Sequence, residues 1–336
     1  MLMEQRVRPL NDAPVRKGGR YVLYWCRWNR RVESNYALLY AAGLGNQMNL
    51  PVVFFERITC NYPTACDRFH TFVLEGALEV AAAANRIGVA YVLQIPRTQR
   101  GHSHERRAMY EGAAVVVTDD CIRATPALDV RLVAVDSSCI VPMNAIPERS
   151  YAAYSIRPKI RKLLPQHLKP APPVLVRRSC TESFHGIHET ITARKVAGIV
   201  RECRIDHSIA PSTCFRGGRN AALRTLDRFL KDRLSRYARE KNEPSAHATS
   251  ELSPYLHFGH ISALEVALKV RDCAAKHKLM ADEFLEELII RRELAHNFAR
   301  YTPRLDQLDA LPEWALKTIR DHRRDRRDPV YSRDEF

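Results

Sequence analysis

No CxxC pair occurs among the nine cysteines of this sequence, and their positions (26, 60, 66, 121, 139, 180, 203, 214 and 273) follow no zinc-ligand rhythm. Neither a thioredoxin-like redox motif nor a zinc finger is therefore encoded, and no metal is expected. An odd, unpaired set of thiols fits a reducing cytoplasm better than a disulfide framework. No GxGxxG follows the first apolar strand. The nearest approach, AAGLGNQMN at 41–49, comes after a helix rather than opening one, which argues against a dinucleotide site of that type. Long apolar runs are also missing, so no membrane span is expected. The start of the chain, MLMEQRVRPLNDAPVRKGGR, lacks the apolar core of a secretory signal, and residues 1–19 read as a loose basic leader. There is no internal repeat and no low-complexity tract.

Acidic residues are in deficit: 38 Asp and Glu against 53 Lys and Arg leave a net charge of +15 over 336 residues. That excess favours a polyanionic partner, with nucleic acid the first candidate, although a GC-rich genome would also enrich arginine. With 46% hydrophobic residues, the chain can build two domains with substantial cores.

From Tyr21 onward, compact apolar runs alternate with amphipathic segments. The strands read are YVLYW (21–25), PVVFF (51–55), AYVLQI (90–95), AAVVVTD (113–119) and RLVAVD (131–136). Compact rather than alternating runs mark strands covered on both faces. The first helix carries Val32, Tyr36, Leu39 and Tyr40 on one face, and RFHTFVLEGALEVAAAANRIG supplies another. This predicts a doubly wound, parallel, five-stranded α/β domain over 20–140, whose strand C-termini could hold a small ligand. An interdomain linker over 141–216 contains LLPQHLKPAPP (163–173), whose close prolines oppose helix and sheet. An all-helical domain over 217–336 completes the chain.

Within the helical half, SELSPYLHFGHIS (250–262) punctuates itself twice. Ser253-Pro254 reads as an N-cap with proline at the first helical position, and Gly259 as a stop. Ser262 with Glu265 reads as a capping box. Two helix starts joined by the hydroxyls of Thr249, Ser250 and Ser253 would suit a phosphate or pyrophosphate; ordinary capping between core helices is the alternative. Further on, FLEELIIRRELAHNF places Phe284, Leu288 and Ala295 along a stripe, with Glu287 and Arg291 one turn apart, the spacing of a solvated ion pair.

RYAREKNEPSAHATSELSPYLHFGHIS followed by EELIIRRELAHNF resembles the FAD-binding domain of the photolyase and cryptochrome superfamily, most closely the class II cyclobutane pyrimidine dimer photolyases. YWCRWNRRVESNYALLYA and VDSSCIVPMNAIPERSYAAYSIRPKI are similar to that class's first strand and helix and its interdomain segment. The resemblance runs in order from about residue 20 to the end. It implies FAD, with Thr249, Ser250, Glu251, Leu252 and Ser253 around its pyrophosphate and Tyr237 also in contact. It implies Glu287 as the carboxylate that hydrogen-bonds the dimer, with Glu293 the nearby competitor. Lys241, Arg291 and Asn297 are implied to lie on the DNA side. The implied reaction is light-driven electron transfer from reduced FAD to a flipped-out dimer in DNA, held by a salt-sensitive basic rim. A second, antenna chromophore in the α/β half is left open in identity.

The sequence departs from the family at three places. Lys241 in REKNEP stands where arginine is usual, losing a planar bidentate contact. Residues 137–139 differ from the usual pattern. The chain ends at DHRRDRRDPVYSRDEF, before the family's further helices with their WNA motif and electron-relay tryptophans; Trp25, Trp28 and Trp314 match none of these. The expectation is thus an incomplete helical domain in a monomer, or one completed by a partner chain. The alternative to repair is a truncated or non-enzymatic relative that binds DNA or signals.

Overall fold

A computed structural model describes residues 3–62, 64–98, 103–121 and 126–326, together with 328, 329, 331, 332, 334 and 335. Met1 and Leu2 of the leader lie outside the described residues. The chain lays down β1 (Val7–Pro9), β2 (Tyr21–Cys26), α1 (Tyr36–Met48), β3 (Val52–Arg57), α2 (Asp67–Arg86), β4 (Ala90–Gln94), α3 (Ser103–Glu111), β5 (Ala113–Asp119) and β6 (Leu132–Val135). The later helices are α4 (Ala153–His167), α5 (Val196–Glu202), α6 (Arg219–Arg228), α7 (Leu234–Glu240), α8 (Ser253–His257), α9 (Ala263–His277), α10 (Asp282–Leu285), α11 (Arg292–Tyr301) and α12 (Glu313–Asp321). None of these is long and apolar enough to cross a membrane.

The α/β architecture is as expected, with one correction. The sheet has six strands in the order β1-β6-β5-β2-β3-β4, not five, because Val7–Pro9 pairs antiparallel with β6 (Val7 opposite Val135). The leader is therefore not loose. Arg6 anchors it, buried to 2% exposure and donating to the carbonyls of Asp136 (3.0 Å), Cys139 (2.8 Å) and Ile140 (2.7 Å). Its guanidinium also lies 3.8 Å from the Tyr36 ring centroid. A three-residue strand ending in proline gives no periodic signal, which is why sequence pattern passed over it. The first helix also begins later than Val32, at Tyr36, capped by Asn35 accepting from the Leu38 N–H.

The prolines of 163–173 do not exclude helix as expected: α4 runs through Pro158 and Pro165 to His167. Ile156 and Ile160 are fully buried and hold α4 to the helical core. Both prolines face solvent, as do Tyr154 and Arg161, whose carbonyls they leave without an intrahelical donor, so water can satisfy them. The segment 141–216, expected as a linker, divides between the two cores. Val141, Ile146, Ile156 and Ile160 pack with the helical half. Val174, Val196, Ile199, Val200 and Cys203 return to one face of the sheet.

The two halves meet where the loop after β2 presses on the turn at Gly259. Asp119, at the end of β5, accepts from the N–H groups of Arg27 (2.8 Å), Trp28 (2.6 Å) and Asn29 (3.1 Å) and from the Tyr24 hydroxyl (2.9 Å). This fixes the loop so that Arg31 can donate to the carbonyls of Ser137 (2.8 Å), Gly259 (3.2 Å) and Ser34 (3.2 Å). Gly259 is in the left-handed region (φ +76°), and a Cβ there would meet the Trp28 carbonyl oxygen at 2.1 Å. Beside it, His260 is buried against Phe72 and accepts from the Gly218 N–H at 3.0 Å. Burial, with Arg30 and Arg31 adding, pushes the His260 pKa down to about 3. A second tie comes from α11, where Glu293, fully buried, accepts from the N–H groups of Ile140 (2.6 Å) and Val141 (3.2 Å).

Gly259→Ala combines a strained positive φ with a backbone clash, so it should destabilise the chain by about 2 kcal/mol, seen as a lower urea midpoint. Burial raises the Glu293 pKa to about 8. A carboxyl whose folded value exceeds its unfolded one stabilises the fold when protonated. That contribution is complete below the ordinary carboxyl range and fades as pH rises through about 8. Glu293→Gln should therefore match the parent near pH 5 and become progressively more stable than it towards pH 8, measured by denaturation across that range. Parallel stability curves would refute the assignment.

Candidate functional site

The site expected from the sequence is assembled along α7 and the turns packed on it. Arg233 closes a π-helical turn (Phe229–Arg233) at the N-cap of α7, Tyr237 lies within α7, and Lys241 is its C-cap. Arg233 donates to the Thr249 carbonyl at 3.1 Å and pairs with Glu251 at 2.9 Å. That pair holds Glu251 in the left-handed region at φ +59°, a conformation a non-glycine residue keeps only when its surroundings fix it. One turn on, the Tyr237 ring packs edge-on to Phe284 and Phe229, with centroids 5.3 and 5.8 Å away. A further turn on, Lys241 Nζ lies 5.8 Å from the Tyr237 ring centroid and pairs with Glu283 (2.9 Å) and Glu287 (3.0 Å).

Ser253 is not the N-cap. Leu252 occupies that position without a side-chain bond, and Ser253 is the first residue of α8. Ser250 instead accepts from the Leu252 N–H at 3.4 Å, while Leu252 is buried and Thr249 and Ser253 are exposed. The second helix start is an interior cap. Ser262 accepts from the Leu264 N–H at 3.1 Å, and Ser262, Ala263 and Leu264 are all buried. Glu265 does not close a capping box; it forms a bidentate pair with Arg219 at 2.6 and 2.7 Å. Of the two expected helix starts, only the turn 249–253 therefore offers free hydroxyls to a ligand.

Glu287 and Arg291 are not ion-paired to one another. Residues Glu286–Arg291 wind as a π-helix between α10 and α11, so residues four apart no longer stack. Glu287 turns to Lys241 with its side chain 46% exposed. Arg291 is exposed beside Glu286, whose carboxyl is held below its ordinary value chiefly by Arg157 at 2.6 Å, with Arg161 and Arg291 adding. Arg291 thus shares a basic patch with α4.

Asn297 is placed differently from its expected DNA side. It is fully buried, accepting from the Ser150 N–H (2.7 Å) and donating to the Glu148 carbonyl (3.0 Å), which ties α11 to the segment before α4. Glu293 is likewise committed to Ile140 and Val141, leaving Glu287 as the reachable carboxylate of the two. The expected apolar stripe holds for Phe284 and Leu288, which are buried, but Ala295 is exposed. Leu308, Leu311, Trp314 and Ile319, around and on α12, are exposed, and no residue of α12 is buried.

Sequence reasoning left the α/β ligand site undefined. A cavity of about 450 Å³ lies at the C-terminal ends of β5 and β6, lined among others by Arg8, Trp28, Asp120, Ser138, Arg292 and His296. Ligands of open α/β sheets enter at this edge, so the signal was the strand order, readable only once pairing is known. The strand ends were expected to admit a ligand, but the contribution of α11 was not foreseen.

No protein-family model matches the chain. The deoxyribodipyrimidine photo-lyase of Methanothermobacter thermautotrophicus is 32% identical over 343 aligned positions, covering 99% of this chain and 73% of that protein. The enzyme of that name from Oryza sativa subsp. japonica is 33% identical, covering 98% of this chain and 68% of the rice protein. Among solved structures, the Synechocystis sp. PCC6803 cryptochrome superposes with a TM-score of 0.60 at 16% identity over 83% of this chain. A class III photolyase from Agrobacterium tumefaciens does so with a TM-score of 0.58 at 20% identity over 86%. These two likenesses concern the fold, and this chain spans 61% and 59% of the two structures' own lengths. The near-complete alignment to the archaeal and plant enzymes, over a helical half that shares the same fold, places the chain in the photolyase and cryptochrome superfamily as a relative of the deoxyribodipyrimidine photolyases.

Proposed function

We propose that this chain binds FAD on the turn 249–253 and repairs cyclobutane pyrimidine dimers in DNA by light-driven electron transfer, as a photolyase of class II type. The observation that supports the reading is the chain of contacts around α7: Arg233 at its N-cap holds the hydroxyl-bearing turn at Thr249 and Glu251, Tyr237 lies within it, and Lys241 at its C-cap reaches Glu287. The donor set fits a pyrophosphate. Thr249 and Ser253 are exposed, Ser253 makes no capping bond at the start of α8, and Arg233 neutralises Glu251. When bound, the flavin supplies photo-excited electron donation, chemistry that no side chain provides.

The protein's part is to bind and orient. Glu287, paired to an ammonium, is an acceptor for N–H groups of a flipped-out pyrimidine pair. Lys241, Arg291, Arg157 and Arg161 supply cations for the DNA backbone, so binding weakens with salt. An antenna chromophore is assigned to the cavity at the ends of β5 and β6. A cytoplasmic setting agrees with nine cysteines that form no disulfide.

The deciding experiment is the visible absorption spectrum of the purified chain with and without added FAD, followed by dimer repair in irradiated DNA under blue light. Flavin uptake with light-dependent dimer loss is expected. A folded chain that takes up no flavin ends the repair reading, and salt-sensitive DNA binding without repair points to the non-enzymatic alternative. Ser253 makes no capping bond, so Ser253→Ala should change stability by less than about 0.5 kcal/mol while loosening FAD. Unchanged flavin affinity would remove the phosphate assignment. Glu287→Ala should lower repair about ten- to hundredfold, the worth of one hydrogen bond to a charged group, with flavin content intact. A parallel loss of flavin would make Glu287 structural.

A further inference from the structure

The sequence shows no metal-ligand spacing, yet the fold brings three ligand-type side chains together from separate elements. Cys60 lies in the loop after β3, His70 in the first turns of α2, and Cys203 at the C-terminal end of α5. Their exposures are 3%, 0% and 1%, and their ligand atoms all lie within 4.8 Å of one another. Cys60 Sγ and His70 Nε2 are 4.0 Å apart. We propose that Cys60, His70 and Cys203 supply three of the four ligands of a site for a thiophilic d¹⁰ metal ion, Zn²⁺ foremost, with a water in the fourth position.

Geometry, orientation and charge all support this. In a tetrahedral zinc site with Zn–S near 2.3 Å and Zn–N near 2.0–2.1 Å, sulfur and nitrogen ligands stand about 3.6 Å apart. The Cys60–His70 separation needs only a few tenths of an ångström of closure to reach that. The imidazole is already aimed: Nε2 faces the thiols, while Nδ1 lies 3.4 Å from the Tyr62 hydroxyl and the Tyr62 ring stacks on His70 with an interplanar angle of 1°. Such an outer partner fixes the tautomer and the ring of a ligating histidine. Two thiolates, a neutral imidazole and a divalent cation sum to zero charge, as an apolar site requires. Ile58, Ile95, Ile199 and Val200 belong to the same core cluster as the two cysteines.

The thiol protons now rest on the carbonyls of Pro96 (3.2 Å) and Ile199 (3.3 Å). Binding releases both protons to solvent, with no redox change. A disulfide between Cys60 and Cys203 is the competing chemistry; it would need an oxidant and leave His70 Nε2 facing an uncharged sulfur pair. The site has a mechanical purpose at this place. The returning segment is stitched to the loop after β3 through Asp206 N–H to the Ala65 carbonyl (3.0 Å) and to the end of β4 through Arg204 N–H to the Arg97 carbonyl (2.8 Å). A metal at Cys203 would clamp that long excursion to the sheet.

The test is metal analysis of the full chain after exhaustive dialysis. About one zinc per chain is expected. Replacement by Co²⁺ should give the thiolate-to-cobalt charge-transfer band and intense visible bands of a tetrahedral site. Cys203→Ser and His70→Ala should each abolish the cobalt spectrum, whereas Cys214→Ser, at an exposed thiol, should leave it unchanged. If the ligand variants fail to fold, the spectrum of the unmodified chain still decides. Absence of bound metal together with no uptake of added Zn²⁺ against a chromophoric chelator overturns the proposal. So does a thiol count of seven rather than nine in denaturant, since it would mean that a disulfide occupies the site.

Discussion

A single buried guanidinium governs how the two halves of this chain sit together. Arg31 is 3% exposed and has no carboxylate partner among its hydrogen bonds; it donates instead to the carbonyls of Ser34, Ser137 and Gly259 and to the Asn29 side chain. A buried charge survives only if hydrogen bonds replace its lost hydration. Those carbonyls belong to the loop after β2, the segment after β6 and the turn before α9, so the arrangement cannot relax at one of them without stranding the cation. Asp119 makes it possible by gathering the N–H groups of residues 27–29. The acid and the cation do not touch. Each organises backbone, and the backbone connects them.

From that weld the flavin-binding candidate turn inherits its position. Gly259 ends the stretch that begins at Thr249, and its close approach to the Trp28 carbonyl leaves no room for the turn to slide. On the other side Arg233 holds Thr249 and Glu251. The turn is therefore fixed at both ends while its hydroxyls at 249 and 253 stay open to solvent. Rigid support beneath an open polar edge is what a bound anion needs, because little ordering is left to be done when it arrives.

Much of this was legible in the sequence, and the parts that were not share a cause. Strands β2 to β6 announced themselves because burial on both faces demands unbroken apolar runs. The segment 249–253 and Tyr237 stood out as candidates because they are contiguous or lie on one resembling motif. The features that stayed hidden depend on contacts between distant positions or on a local break in periodicity. Val7–Pro9 is a strand only because β6 offers it an edge. The partner of Glu287 is Lys241 rather than Arg291 because a π-helical turn shifts the register, which an assumed period of 3.6 cannot reveal. Cys60, His70 and Cys203 are separated by up to 143 positions, so no spacing rule would join them.

The π-helical turn also explains how one rod of helix can carry two carboxyls with opposite duties. Glu287 and Glu293 are six residues apart, which in a regular helix would set them about 120° apart around the axis. Widening the turn at Glu286–Arg291 rotates the helix beyond it, so Glu293 and Asn297, four apart in the regular α11, both point into the seam with the segment 140–150. Glu287 is left facing Lys241 and solvent. Burial drives the Glu293 carboxyl towards its neutral form, while Glu287 stays half-exposed beside Lys241. The irregular turn thus sets Glu293 into the packed seam and Glu287 towards Lys241 within one continuous helical rod.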